Sequence, residues 1–283
     1  MTQNSKGAMF MCLSALSFAT MGAFAKYSSG FSFYQIIFFR GLISTVFVYA
    51  TANKSELNFL GKNWRTRGIL CFRSILGTLG AVAYFFAIQK LYLADAVLLN
   101  NLSPIWVTFF AWVFLKEKPK KKQLVLIFVM LLGAMFVIKP KFDSSAIYAL
   151  IGFSSSIFAG AAYTFVRFLA RDEKPSNLVL WFSFYTCLFM IPGMLSEGFK
   201  VPTLVEFLGL CLVGIFAGLG QLFLTNSYNL SPANKVSIYQ YLNIFFAGLY
   251  GILFWSEHPD IYSILGGVIV IGSAVWSYRI NKH

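Results

Sequence analysis

The sequence predicts an all-α membrane protein, ten transmembrane helices arranged as two inverted five-helix repeats. Three observations carry this. Of 283 residues, 58% are hydrophobic and only 12% charged, against about 25% charged in an average soluble domain. Uncharged stretches of about 20 residues, the length at which a helix crosses a ~30 Å hydrocarbon layer, follow one another through the chain. The chain also aligns with itself at a displacement of about 140 residues. A transmembrane barrel would show alternating segments of about ten residues, and the runs here are continuous.

Breaks in the apolar pattern place the spans at 7–26, 33–51, 68–88, 94–115, 123–138, 146–168, 177–195, 205–228, 233–255 and 262–280. The first follows Lys6, but it is long and lacks an A-x-A-like cleavage site, so it reads as a span and not as a signal peptide. The second carries Arg40 near its middle, in FFRGLIS. In the third, Arg73, Gly77, Gly80 and Tyr84 recur at four, three and four residues and share one helical stripe. Asn100 and Asn101 lie in the fourth, and Arg167 near the end of the sixth. The eighth carries Gly214, Gly218, Gln221 and Thr225 on one stripe; Gly214-x-x-x-Gly218 reads as helix packing. The ninth holds Tyr239, Gln240, Tyr241 and Asn243. No segment is left that is long enough for a soluble domain, so function resides in the bundle or its short loops.

The net charge of +13 is mostly topology. With the N-terminus in the cytoplasm, fourteen basic residues fall on the inner side, among them Lys6, Lys54, Arg65, the Lys116 to Lys122 cluster and Lys174, and four on the outer side, Lys90, Lys139, Lys141 and Lys200. That asymmetry satisfies the positive-inside rule and predicts a multi-pass cell-membrane protein with both termini cytoplasmic. The basic residues punctuate apolar runs and form no solvated face, which argues against a nucleic-acid partner. Cys12, Cys71, Cys187 and Cys211 lie in apolar stretches without CxxC spacing, and His258 and His283 are the only imidazoles, so neither a metal site nor a cofactor is expected.

At the 140-residue displacement Leu102 meets Leu242, Phe114 meets Phe254, Glu117 meets Glu257, Pro119 meets Pro259 and Asn100 meets Gln240. At 141, Lys26 meets Arg167. The halves are residues 6–139 and 146–281, five spans each. An odd number of spans per repeat makes the copies enter the membrane from opposite sides, an architecture associated with alternating access. Pro104 is matched by Ile244, so a kink in the fourth helix need not be mirrored in the ninth.

The paired segments LADAVLLNNLSPIWVTFFAWVFLKEK and PANKVSIYQYLNIFFAGLYGILFWSEH resemble the drug/metabolite transporter superfamily, specifically its EamA-type members. The resemblance covers essentially the whole chain. It implies a ten-helix bundle around a central substrate cavity, a more peripheral last helix in each repeat, and small-molecule transport.

Candidate substrate-binding residues follow from the cost of polarity in hydrocarbon. A central arginine costs at least ~2.5 kcal/mol by insertion scales, so it needs a reason to be there. Arg40 is too deep to snorkel easily. Arg73, five residues into its span, is near enough to the inner headgroups to do so. All ten carboxylates, Asp95 and Glu257 included, fall in loops or near span ends. Guanidiniums without a counter-carboxylate favour a carboxylate, phosphate or sulfate and disfavour simple organic cations. Tyr84, Gln221, Asn100, Asn101, Tyr239, Gln240 and Asn243 are the uncharged candidates, with the proviso that neighbours such as Asn100 and Asn101 cannot both face inward. Lys26, Arg167 and Lys235, near span ends, read as interface anchors.

The expected function is therefore secondary transport of a small anionic or amphoteric metabolite by exchange or facilitated passage, as a monomer or homodimer. Proton coupling has no central acid to use. The alternatives are export of drugs or amino acids, or lipid scrambling. An intramembrane enzyme would need a nucleophile with its base, or a metal cluster, and neither pattern is present.

Overall fold

A computed structural model describes residues 3–53, 57, 63–115, 121–138, 144–169, 173–231 and 236–280. Among these residues all regular structure is helical: α1 (Gln3–Tyr27), α2 (Phe33–Thr51), α3 (Trp64–Lys90), α4 (Leu93–Asn100), α5 (Ser103–Leu115), α6 (Lys121–Ile138), α7 (Ser144–Leu169), α8 (Pro175–Glu197), α9 (Leu204–Leu230), a 3-10 turn (Ser237–Tyr241), α10 (Leu242–Trp255) and α11 (Ile261–Ile280). Seven segments are long and apolar enough to cross a membrane: α1, α2, α3, the combined Leu93–Phe114, α7, α8 and α9. Leu124–Ile138 and Ile261–Ser273 are shorter apolar helices. Phe128, Leu253, Phe254 and Val268 are more than half exposed; outward apolar side chains in that number fit contact with lipid tails.

Local sequence explains where the helices begin. Ser32 and Asn63 cap α2 and α3 by accepting from the N–H groups of Gln35 (3.2 Å) and Thr66 (2.8 Å). Thr203 and Glu206 form a reciprocal capping box on α9, and Pro175 opens α8, where its missing N–H costs nothing. α3 starts at Trp64, four residues before the expected edge. That extension puts Arg73 roughly 13 Å of helical rise from the start of α3, and its side chain is buried.

The bundle is built from contacts between its two halves. α1 packs on α9 and α3 on α7; α2 packs on α8; α5 packs on α7 and α1 on α10; α6 and α11 pack chiefly on each other at the margin. Apolar burial drives little association in lipid, so close approach and polar contacts take its place. A Cβ on Gly41 of α2 would lie 2.7 Å from the backbone nitrogen of Cys187 on α8, and only a glycine permits that crossing. Hydrogen bonds tie the same pairs. Ser14 donates to the Gly220 carbonyl (2.8 Å), Ser227 to the Gly7 carbonyl (2.7 Å) and Ser183 to Ser44 (3.0 Å), while Thr78 and Thr186 share a buried bond of 2.9 Å.

The fourth span, expected as one helix, is broken. α4 ends at Asn100, and Asn101 has helical φ but ψ of 3°, with its N–H bonded to the Val97 carbonyl. Pro104 carries no N–H, so the Asn100 carbonyl loses its helical donor. In the second half the chain passes from a 3-10 turn to α10 at Tyr241 and Leu242, the position that aligns with Asn101. The irregularity thus recurs although Ile244 replaces Pro104, because 3-10 geometry interrupts the ladder without a proline.

Lys26 is not a free interface anchor. Its ammonium pairs with the Glu257 carboxylate and donates to the Leu91 carbonyl (2.8 Å), while the second Glu257 oxygen accepts the Leu93 N–H (2.8 Å). One ion pair thereby fastens the ends of α1, α3 and α10 and the start of α4. Lys235 and Glu117 lie outside the described residues, as does the side chain of Arg167.

Candidate functional site

Between the halves lies a cavity with about 660 Å³ of atom-free space, its open mouth included. Every helix lining it has a reason to be close. α3 contributes Gly77, Gly80 and Ala81, and α7 contributes Ala159 and Ala162. These small residues leave the volume that larger ones would fill. Phe18, Met21, Phe85 and Phe182 form apolar walls.

Two cations dominate the chemistry. Arg40 of α2 is 4% exposed and Arg73 of α3 is 3% exposed. The Arg73 guanidinium carbon lies 4.2 Å from the centroid of the Phe182 ring, and that of Arg40 lies 5.0 Å from the same ring and 6.0 Å from Phe85. Nε and Nη1 of both arginines are buried without a hydrogen-bond partner among the described residues. The lining residues include no carboxylate. Cation–π contact offsets part of the desolvation of a guanidinium but satisfies none of its N–H donors. The site is therefore a cationic, donor-rich surface beneath an aromatic wall.

The uncharged polar groups arrive on the broken segments and on two intact helices. Asn100, at the end of α4, lines the cavity and donates to Ser155 of α7 (2.9 Å). Gln240 from the 3-10 turn and Asn243 from the first turn of α10 line it too, and Asn243 Oδ1 is buried and unpartnered among the described residues. Tyr84 of α3 and Gln221 of α9 complete the set.

Of the nine candidate residues, the fold brings Arg40, Arg73, Tyr84, Asn100, Gln221, Gln240 and Asn243 to one cavity and leaves two aside. Asn101 is buried, but its side-chain amide donates to the Val97 carbonyl (2.8 Å) and closes its own helix end. Tyr239, one residue before Gln240, is half-buried and does not line the cavity. Sequence reasoning missed Tyr163 and Phe182. Tyr163 lines the cavity together with Gln221; it stands four residues before Arg167 in the sequence, the one cue that pointed to it. Phe182 is one of 32 phenylalanines and carried no cue.

A polytopic all-helical bundle whose halves enclose a polar, cation-lined cavity is the frame of a membrane transporter. The chain belongs to the EamA-like transporter family, whose model matches it twice, over residues 5–139 and 146–279. It is 33% identical over 281 residues to the pseudopaline exporter CntI of Pseudomonas aeruginosa, covering 98% of this chain and 97% of that one. It is 24% identical to human solute carrier family 35 member G1, over 95% of this chain and 78% of that one, and 24% identical to a riboflavin transporter of Brucella anthropi, over 75% and 76%. A solved crystal structure superposes over 98% of this chain and 99% of that one with a TM-score of 0.70 at 15% identity, a likeness of fold. The family and these relatives are transporters of the drug/metabolite type, and the protein is a multi-pass membrane protein.

Proposed function

We propose that the protein is a secondary transporter that carries a small organic anion or amphoteric metabolite across the cell membrane by alternating access, as exchange or facilitated passage. The observation that carries the reading is the pair of buried guanidiniums, Arg40 and Arg73, with unpartnered donors and no carboxylate in the cavity wall among the described residues. A carboxylate or phosphate supplies the missing acceptors, and a cation meets repulsion. The aromatic walls add affinity for a substrate with an apolar or planar body.

The two halves act as inverted repeats of five spans each. The pairings α1 with α9 and α3 with α7, like α1 with α10 and α5 with α7, are those that an in-plane two-fold axis would exchange. In this reading both termini are cytoplasmic, and the Lys26–Glu257 pair holds the outer end of the pathway closed. Transport requires that pair to separate when the halves rock. The likeness to a pseudopaline exporter supports outward movement of a metabolite.

Purified protein in liposomes tests the reading. Counterflow of carboxylates or phosphates that falls sharply in Arg40→Ala is expected. Movement of organic cations but of no carboxylate or phosphate, left intact by Arg40→Ala, would overturn it.

A further inference from the structure

Resting on that reading, we infer that the transported anion is divalent: it presents two negative charges, one to Arg40 and one to Arg73, as a dicarboxylate or a phosphomonoester does.

Two buried positive charges share one cavity wall. The guanidinium carbons lie 4.2 Å and 5.0 Å from one ring centroid, and therefore no more than 9.2 Å from each other. Each arginine is more than nine-tenths buried and keeps at least two nitrogens, Nε and Nη1, without a partner among the described residues. Two like charges that close in a poorly solvated wall repel strongly. The polar residues sharing the cavity, Tyr84, Tyr163, Gln221 and Asn243, contribute no formal negative charge. A monoanion bound to one guanidinium leaves the other buried and uncompensated, which is the costly arrangement for an ion pair with one member missing. A dianion neutralises both charges, fills both sets of donors and removes the repulsion. Phe182 lies within cation–π distance of both guanidiniums, a contact that leaves their N–H groups free for a ligand.

Thermal unfolding of the purified full chain with isosteric probes tests this, since a ligand bound by the folded state raises the midpoint. The probes are succinate, its half-amide succinamate, and methyl phosphate, at equal concentrations near neutral pH. Stabilisation by succinate, methyl phosphate or both at concentrations at least about tenfold lower than succinamate requires is expected, because a charge-assisted contact is lost in the half-amide. Which dianion is preferred tells a dicarboxylate from a phosphate substrate. In Arg73→Gln and in Arg40→Gln the advantage over succinamate disappears. Arg73→Lys and Arg40→Lys, which keep the charge and serve as controls for folding, retain part of it. If succinate and succinamate stabilise the wild type equally, divalency is wrong while anion transport stands. If no anion stabilises it, both fall.

Discussion

Lys26 and Glu257, 231 residues apart, form an ion pair whose side chains are 14% and 8% exposed, and each also bonds the backbone at the junction of α3 and α4. A pair so desolvated contributes through what happens when one member is removed. The remaining charge is left buried against helix ends.

Lys26→Met or Glu257→Gln alone is therefore expected to destabilise the protein by about 3 kcal/mol, and the double variant Lys26→Met/Glu257→Gln by clearly less than the sum. A double-mutant cycle on thermal or denaturant unfolding measures the coupling. Additive losses would show that the pair is not an energetic unit.

Gly77 faces Phe182 so closely that a Cβ there would lie 2.6 Å from the ring. Gly77→Ala should displace the ring that contacts both guanidiniums, at a cost of about 1–3 kcal/mol of overpacking. It should also weaken anion stabilisation of the thermal midpoint. Gly77→Ala/Phe182→Leu should regain stability but not anion response, which separates the packing role of the ring from its contact with the arginines.

Pro104 stands just after the break that presents Asn100 to the cavity. Pro104→Ala restores an N–H able to reach the Asn100 carbonyl and lengthens the helix. Transport in liposomes is expected to fall several-fold while stability changes by no more than about 1 kcal/mol. Unchanged transport would mean that the broken segment serves packing only.

Gly41→Val places a branched side chain where a single Cβ already lies 2.7 Å from the α8 backbone. Backbone cannot yield as a flexible side chain does, so a loss of about 3 kcal/mol or more is expected, seen as a lowered thermal midpoint and poor recovery of folded protein. Gly68→Val, with open space around the added carbon, is the matched control and should lose far less.

The helices were legible because hydrocarbon permits few alternatives. A run of some 20 uncharged residues has to satisfy its backbone internally, and charges such as Lys90 mark where α3 ends. Arg40 and Arg73 were legible for the same reason, as the charges that the bilayer makes expensive. What escaped was whatever depends on side chains meeting across the bundle. Spacing identified Asn100 and Asn101 together, but only the packed structure shows that one lines the cavity and the other bonds its own helix. The recurrence of the break at Tyr241 without a proline was hidden because the identity of residue 244 says nothing about 3-10 geometry upstream. Self-alignment singled out Lys26 and Glu257 through their matches in the other half, yet nothing local tied the two to each other. Phe182 matters only because α2 and α3 aim their arginines at it.

The most direct measurement is a crystallographic or cryo-electron microscopy structure of the protein with bromosuccinate bound. The bromine signal is expected inside the cavity, with one carboxylate on the donors of Arg40, the other on those of Arg73, and the Phe182 ring beside both. A ligand bound elsewhere, or guanidiniums already paired with carboxylates of the protein itself, would contradict it.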